Sequence, residues 1–141
     1  DGSREPFDAI VWATGYNVTF PFFRQPELTP QDNTFPLFKR IVKPGFENLF
    51  FLGLAQPLPT LVNFAEQQSK LDAAAIGGRY RFPDAAEMHR VTADDEKVHL
   101  GHFYDSPRHR KQIDFNNYVA DLHKEIDRGG ERAGVTVVGG R

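Results

Sequence analysis

The sequence predicts an α/β fold, and three observations predict it. Two short apolar runs, residues 8–13 and 48–55, end abruptly in Thr14-Gly15-Tyr16 and Gln56-Pro57. Runs of this length without polar alternation read as strands buried on both faces, as in parallel sheets covered by helices. The third observation is order: the second run is followed, after a proline-rich loop, by a clear amphipathic helix. In sheets of that kind ligands lie outside the carboxyl ends of the strands.

The elements follow in chain order. Asp1-Gly2 is a hairpin-turn dipeptide without a preceding strand, and with no initiating Met or leader pattern the chain reads as a piece of a longer protein. Residues 8–13 then form the first expected strand, with Trp12 in the core. Residues 17–35 carry Pro21, Pro26 and Pro30 among phenylalanines with little periodicity, which predicts an ordered linker whose aromatic rings pack together. Residues 37–42 are a further strand candidate. Pro44-Gly45 is a turn signal leading into the strand at 49–55.

Asn63 followed by Glu66 gives a capping-box-like helix start, and Gly77-Gly78 a left-handed stop. Phe64, Leu71 and Ala75 share one face of that helix, and Gln68 falls on the same face. A buried amide left unpaired costs on the order of 1–3 kcal/mol, so backbone groups or a ligand must satisfy Gln68. Residues 84–97 are polar and acidic, with Met88 and Val91 as anchors of a short helix and Asp94-Asp95-Glu96 as a solvated turn. A second strong helix is expected over 114–127, where Phe115, Tyr118, Val119, Leu122 and Ile126 form a stripe, and Gly129-Gly130 should end it. The tail, 135–141, has strand-like composition without a visible partner.

Composition bounds the function. The 141 residues carry 17 basic and 19 acidic side chains, a formal net charge of −2, so no basic footprint points to nucleic acid or an anionic membrane surface. There is no cysteine, which excludes thiolate catalysis and disulfides and fits a reducing, cytoplasmic compartment. The longest apolar stretch falls far short of the roughly 20 residues that span a bilayer, so no membrane segment is expected. His99, His102 and His109 with Asp94 and Asp95 lack metal-site spacing and read as solvated surface. Arg108-His109-Arg110-Lys111 reads as the exposed approach to the helix at 114.

Glycine just past a buried strand, as in Ala13-Thr14-Gly15-Tyr16, marks close approach of another segment or a ligand. In Gly53-Leu54-Ala55-Gln56-Pro57, the strand end precedes a helix whose N-terminal N–H groups and positive dipole end point at the crevice. The ordered strings DAIVWATGYNVTFPFF, LFKRIVKPGFENLFFLGLAQPLP, AEQQSKLDAAAIGG, RFPDAAEMHR and DSPRHRKQIDFNNYVADLHKEI together resemble the C-terminal third of the flavin-containing monooxygenase family, over residues 1–127. Lys70 and Leu71 depart from that pattern, where the family usually shows Arg and an aromatic, and residues 129–141 do not follow it.

The resemblance implies the C-terminal part of a flavoprotein with two Rossmann-like dinucleotide-binding domains, for FAD and NADPH. Residues 1–16 would close the NADPH domain and form the hinge, 17–105 would belong to the FAD domain, and 106–141 would be a helical extension and tail. It also implies cofactor contacts at Gln56, Thr60 and Gln68 near the flavin and at Thr14 and Gly15 by the hinge, with no catalytic side chain and no metal. The implied reaction is oxygen transfer from O₂ to an amine or sulfide through a C4a-hydroperoxyflavin, in concert with the remainder of the parent chain. Because no G-x-G-x-x-G loop occurs here, the piece alone is expected to be inactive. The alternatives are a Baeyer–Villiger or N-hydroxylating relative, or a non-catalytic interaction module of the same fold.

Overall fold

Among the described residues, three α-helices and one short parallel strand pair carry the fold. The computed structural model describes residues 2, 4–57, 60–100 and 112–135. The chain divides into two compact units, Asp1–Phe35 and Pro36–Arg141.

In the first unit, residues 8–13 form no strand, and Trp12 is 81 % exposed rather than in a core. A strand is held by hydrogen bonds to a neighbouring strand, and the described residues of this unit supply none. The proline-rich stretch is ordered as expected. Phe22 and Phe23 rings lie 4.7 Å apart and Phe20 meets Phe35 edge-on at 5.3 Å, while a 3₁₀ turn at Pro26–Leu28 buries Leu28. The chain reverses at Asp32 and Asn33, both left-handed, and Asn33 Oδ1 accepts from the Val18 N–H at 2.8 Å. Asp and Asn are the side chains that tolerate this conformation best.

The second unit opens with a similar reversal in less suitable residues. Residues 37–42 are a tight turn rather than a strand: Phe38 and Val42 exchange backbone hydrogen bonds, and Lys39 and Arg40 both have positive φ. Residues 49–55 contribute one antiparallel bridge, Phe50 to Val42, and then turn at Gly53, where φ is +74°. The parallel pairing expected of this segment occurs just beyond it. Strand β1 (Gln56–Pro57) pairs in parallel with β2 (Gln112–Ile113). The 49–55 run is not buried on both faces as its composition suggests: Leu52 is 47 % exposed and residues 49–51 and 53–55 are only partly buried.

Helix α1 (Leu61–Ile76) begins one turn before the expected Asn63 cap. Thr60 takes the cap position and its hydroxyl accepts from the Asn63 N–H, the same chemistry supplied by a different residue. It ends as expected, with Gly78 left-handed and the Arg79 N–H reaching the Ala74 carbonyl at 2.8 Å. Helix α2 (Ala85–Leu100) includes Met88, which is fully buried. Asp94-Asp95-Glu96 lie within this helix and not in a turn: Arg90 ties Glu87 to Asp94 along its surface, and Asp95 reaches Lys39 at 3.2 Å.

Helix α3 (Phe115–Arg132) is capped by Asp114 and runs through Gly129-Gly130 instead of stopping there. Gly129 is required by packing: a Cβ built on it would lie 2.0 Å from ring carbons of Tyr80. Tyr80 is itself buried and donates to Glu125 at 2.8 Å, and Glu125 also pairs with Arg132. The left-handed residue that follows the helix is Gly134. Beyond Val135 the tail lies outside the described residues. Phe38, Ile41, Val42, Phe64, Leu71, Met88, Ile113 and Leu122 make one core between the 38–42 turn and the three helices. Among the described residues no helix is long and apolar enough to cross a membrane.

Candidate functional site

The second strand end and the helix that follows it meet as the strand-loop-helix order requires. The space beside Gly53 that a Cβ would occupy lies 3.5 Å from the Leu61 side chain in the first turn of α1. Fifteen residues further on, Gln68 Oε1 accepts from the Gly53 N–H at 2.8 Å. The first N–H groups of any helix lack intrahelical acceptors, and the apolar side chains around this end, Leu61 and Val62, are half and three-quarters exposed. The corner therefore combines a backbone free of Cβ, a helix N-terminus with its positive dipole end, whose Asn63 N–H is taken up by the Thr60 cap, and an open apolar rim.

Gln68 is fully buried, and its amide is satisfied by the protein. Its Nε2 donates to the Arg40 carbonyl at 3.1 Å and to the Tyr118 hydroxyl at 3.2 Å, while Oε1 serves Gly53. Tyr118 in turn donates to the Lys39 carbonyl at 2.8 Å. Burial pushes the Tyr118 phenol above its ordinary range, so it stays a neutral donor. The Lys39 ammonium is buried too. Burial alone would lower its pKa, but Asp121 at 2.6 Å and Asp95 outweigh it and hold the pKa above the ordinary lysine value. Two left-handed, non-glycine residues are thus anchored on both carbonyls and on one side chain, which is what strained turns need in order to persist.

The remaining expected residues are placed as follows. Gln56 opens β1, its backbone in register with Gln112. Thr60 caps α1 and is exposed. Thr14 and Gly15 lie in the first unit, both exposed, with Gly15 at a φ of +97° and nothing near the position of a Cβ. The structure thus brings Gly53 against Gln68 and against Leu61, the residue after Thr60. Sequence reasoning missed Tyr118, placing it only in an apolar stripe, although a tyrosine hydroxyl in a buried stripe must find a partner. Of the histidine group, 102 and 109 fall outside the described residues. Among the described residues no group of three or more His, Asp or Glu converges for a metal. A cleft lined by Glu47, Ile76, Arg81 and Phe82 opens at the far end of α1, about 24 Å from Thr60 at the helical rise.

Asp72, one turn beyond Gln68, is buried, and its Oδ1 has no hydrogen-bond partner among the described residues. Burial raises its pKa to about 6. A carboxyl whose folded pKa exceeds the unfolded one contributes most stability below the unfolded value, near 4, and loses it as pH rises towards 6. The expected result is that Asp72→Asn stabilises the fold at pH 7 by on the order of 1–3 kcal/mol and flattens the stability profile between pH 4 and 6. Urea melts across that range check it; identical pH slopes for both proteins would remove Asp72 as their source.

A strand end feeding a capped helix is the corner on which α/β nucleotide-binding proteins hold a cofactor ring. The comparisons make the class definite. Residues 1–132 match the flavin-binding monooxygenase-like family model, and the chain belongs to that family of flavoproteins, built on a dinucleotide-binding fold. It is 32 % identical over 128 residues to flavin-containing monooxygenase 5 of Rattus norvegicus, covering 86 % of this chain and 24 % of that protein. It is 30 % identical over 129 residues to dimethylaniline monooxygenase (N-oxide-forming) 2 of the same species, covering 89 % and 24 %. At 28 % identity over 131 residues it also resembles a 4-hydroxybenzoate brominase (decarboxylating) of Pseudoalteromonas luteoviolacea, with the same coverage, 89 % and 24 %. The chain spans about a quarter of the length of these relatives.

Proposed function

We propose that the chain forms the flavin-facing wall of an FAD- and NADPH-dependent monooxygenase that oxygenates nitrogen or sulfur nucleophiles. The observation that carries this reading is the corner where Gly53 meets the first turn of α1. The residues fit the group: a flavin ring edge gathers negative charge on reduction, and the helix N-terminus offers N–H donors and a positive dipole end. When bound, the flavin supplies the redox and oxygen chemistry.

In this proposal the chain's own residues position and seal the cofactor. The Gly53 backbone, Gln56 and Thr60 border the ring, Leu61 and Val62 exclude water from its edge, and Gln68 holds the strand end without touching the substrate. Thr14 and Gly15 belong to the hinge beside the NADPH domain. No side chain acts as nucleophile, so the N-oxide-forming activity named for one relative and the reading for this chain both rest on the cofactor. Substrates are then small soft amines or sulfides, with O₂ as co-substrate, in the cytoplasm.

The experiment is NADPH-driven O₂ uptake by the flavoprotein that carries this chain, with a tertiary amine and a thioether as substrates. Product N-oxide or S-oxide in step with NADPH consumption is the expected result. A ketone converted to an ester instead would assign it to the Baeyer–Villiger type. The 141-residue chain alone, which contains no G-x-G-x-x-G loop, is expected to emerge colourless from gel filtration; stoichiometric flavin on it would contradict the wall-only role.

A further inference from the structure

We propose that Tyr118, carried on α3, is a positioning residue for the cofactor corner: it latches Gln68, and through Gln68 it holds the Gly53 strand end. The inference rests on the flavin-wall reading above and adds a residue from a different helix to it.

The argument is one of hydrogen-bond polarity. The Gly53 N–H is only a donor and the Arg40 carbonyl only an acceptor, so the Gln68 amide has one orientation, oxygen towards Gly53 and nitrogen towards Arg40. That leaves a second Nε2 proton in a fully buried site. Its acceptor is the Tyr118 oxygen at 3.2 Å, and the phenol proton is directed to the Lys39 carbonyl at 2.8 Å. The donors therefore run in one direction along a chain of bonds, from the Gly53 N–H through Gln68 on α1 and Tyr118 on α3 to the Lys39 carbonyl, with the other Gln68 Nε2 proton on the Arg40 carbonyl. Tyr118 is held in register by its ring, 4.7 Å from that of Phe64.

Removing the hydroxyl breaks the chain at two points. One Nε2 proton and the Lys39 carbonyl lose their partners in a dry site, and the amide gains by rotating away from Gly53. The strain in the left-handed pair Lys39 and Arg40 favours the same loosening, since those carbonyls are what the two side chains hold. Gly53, itself at positive φ, then leads into β1 and α1 without its anchor.

The test compares wild type with Tyr118→Phe, which keeps the ring packing, in the full flavoprotein that carries this chain. Hydrogen exchange is read over residues 48–57, together with FAD affinity by fluorescence titration and the KM for NADPH. The expected result is about tenfold faster exchange at Gly53, about tenfold weaker FAD binding and an unchanged KM for NADPH. Unchanged exchange overturns the latch; faster exchange with unchanged FAD affinity overturns the positioning role and leaves a structural one. If the wild type itself takes up no FAD, it is the flavin-wall reading that fails, and the exchange arm alone decides the latch. Should the variant not fold, wild-type exchange decides: protection of the Gly53 N–H comparable to Leu71 supports the latch, and exchange at the rate of an exposed loop amide overturns it.

Discussion

Gly129→Ala is expected to destabilise the protein by roughly 3 kcal/mol or more, the upper end of overpacking costs. The sign is the informative part, because helix propensity alone predicts the reverse, a gain of about 1 kcal/mol for alanine over glycine in a helix interior. The added methyl would lie 2.0 Å from two carbons of the Tyr80 ring. The ring has no easy retreat: its hydroxyl donates to Glu125, its edge meets Phe82 at 4.8 Å, and the Arg132 guanidinium lies 5.7 Å from its centroid. The helix cannot retreat either, since the Gly129 carbonyl accepts from the Arg81 N–H at 3.0 Å. Thermal or urea unfolding measures the change. A double-mutant cycle with Tyr80→Ala should recover most of the cost, because the two sites are in contact; a stabilised Gly129→Ala protein would show that the glycine pair is not a packing notch.

The second large effect is expected at Gln68. Gln68→Leu preserves bulk but strands the partly buried Gly53 N–H and Arg40 carbonyl, and each unsatisfied group costs about 1–3 kcal/mol. We expect a loss of about 3 kcal/mol by denaturant melting, with local loosening of residues 38–42 and 50–57. That distribution follows from the bonds, which among the described residues reach Gly53, Arg40 and Tyr118. A loss below about 1 kcal/mol would mean that water or a shifted backbone satisfies those groups, and that the buried amide does not organise the corner.

The helices were legible because their signals are local. The stripe from Phe115 to Ile126, the Met88 anchor and the Gly77-Gly78 stop are all read within a few turns, and a helix forms at each, although α2 runs on through 94–96 and α3 through Gly129-Gly130. The failures share a different cause. Residues 8–13 carry strand composition, but a strand exists only with a partner, and the described residues of that unit provide none. Residues 49–55 read as a strand buried on both faces, yet they are only partly buried and Leu52 is largely exposed; their hydrogen bonding, one bridge and then a side-chain anchor from Gln68, depends on what packs across from them. Gly129-Gly130 reads as a stop at the level of propensity, and Gly129 becomes a contact surface only once Tyr80 is known to press against it.

The candidate site divides the same way. The family resemblance picked out Gln56, Thr60 and Gln68, and helical spacing alone required that the buried Gln68 amide find partners. Which partners, and the inclusion of Tyr118 and the Lys39–Arg40 turn, came from the tertiary structure.

By itself, then, the sequence determined the family, the three helices, their faces and the presence of a buried amide behind a glycine-marked strand end, because periodicity, capping and ordered motifs are properties of neighbouring residues. The fold alone decided how the amide is satisfied, why α3 carries Gly129, and where the acidic stretch of α2 finds its lysine. Those contacts join residues 15 to 82 positions apart, and their geometry is set only when the core has closed around them.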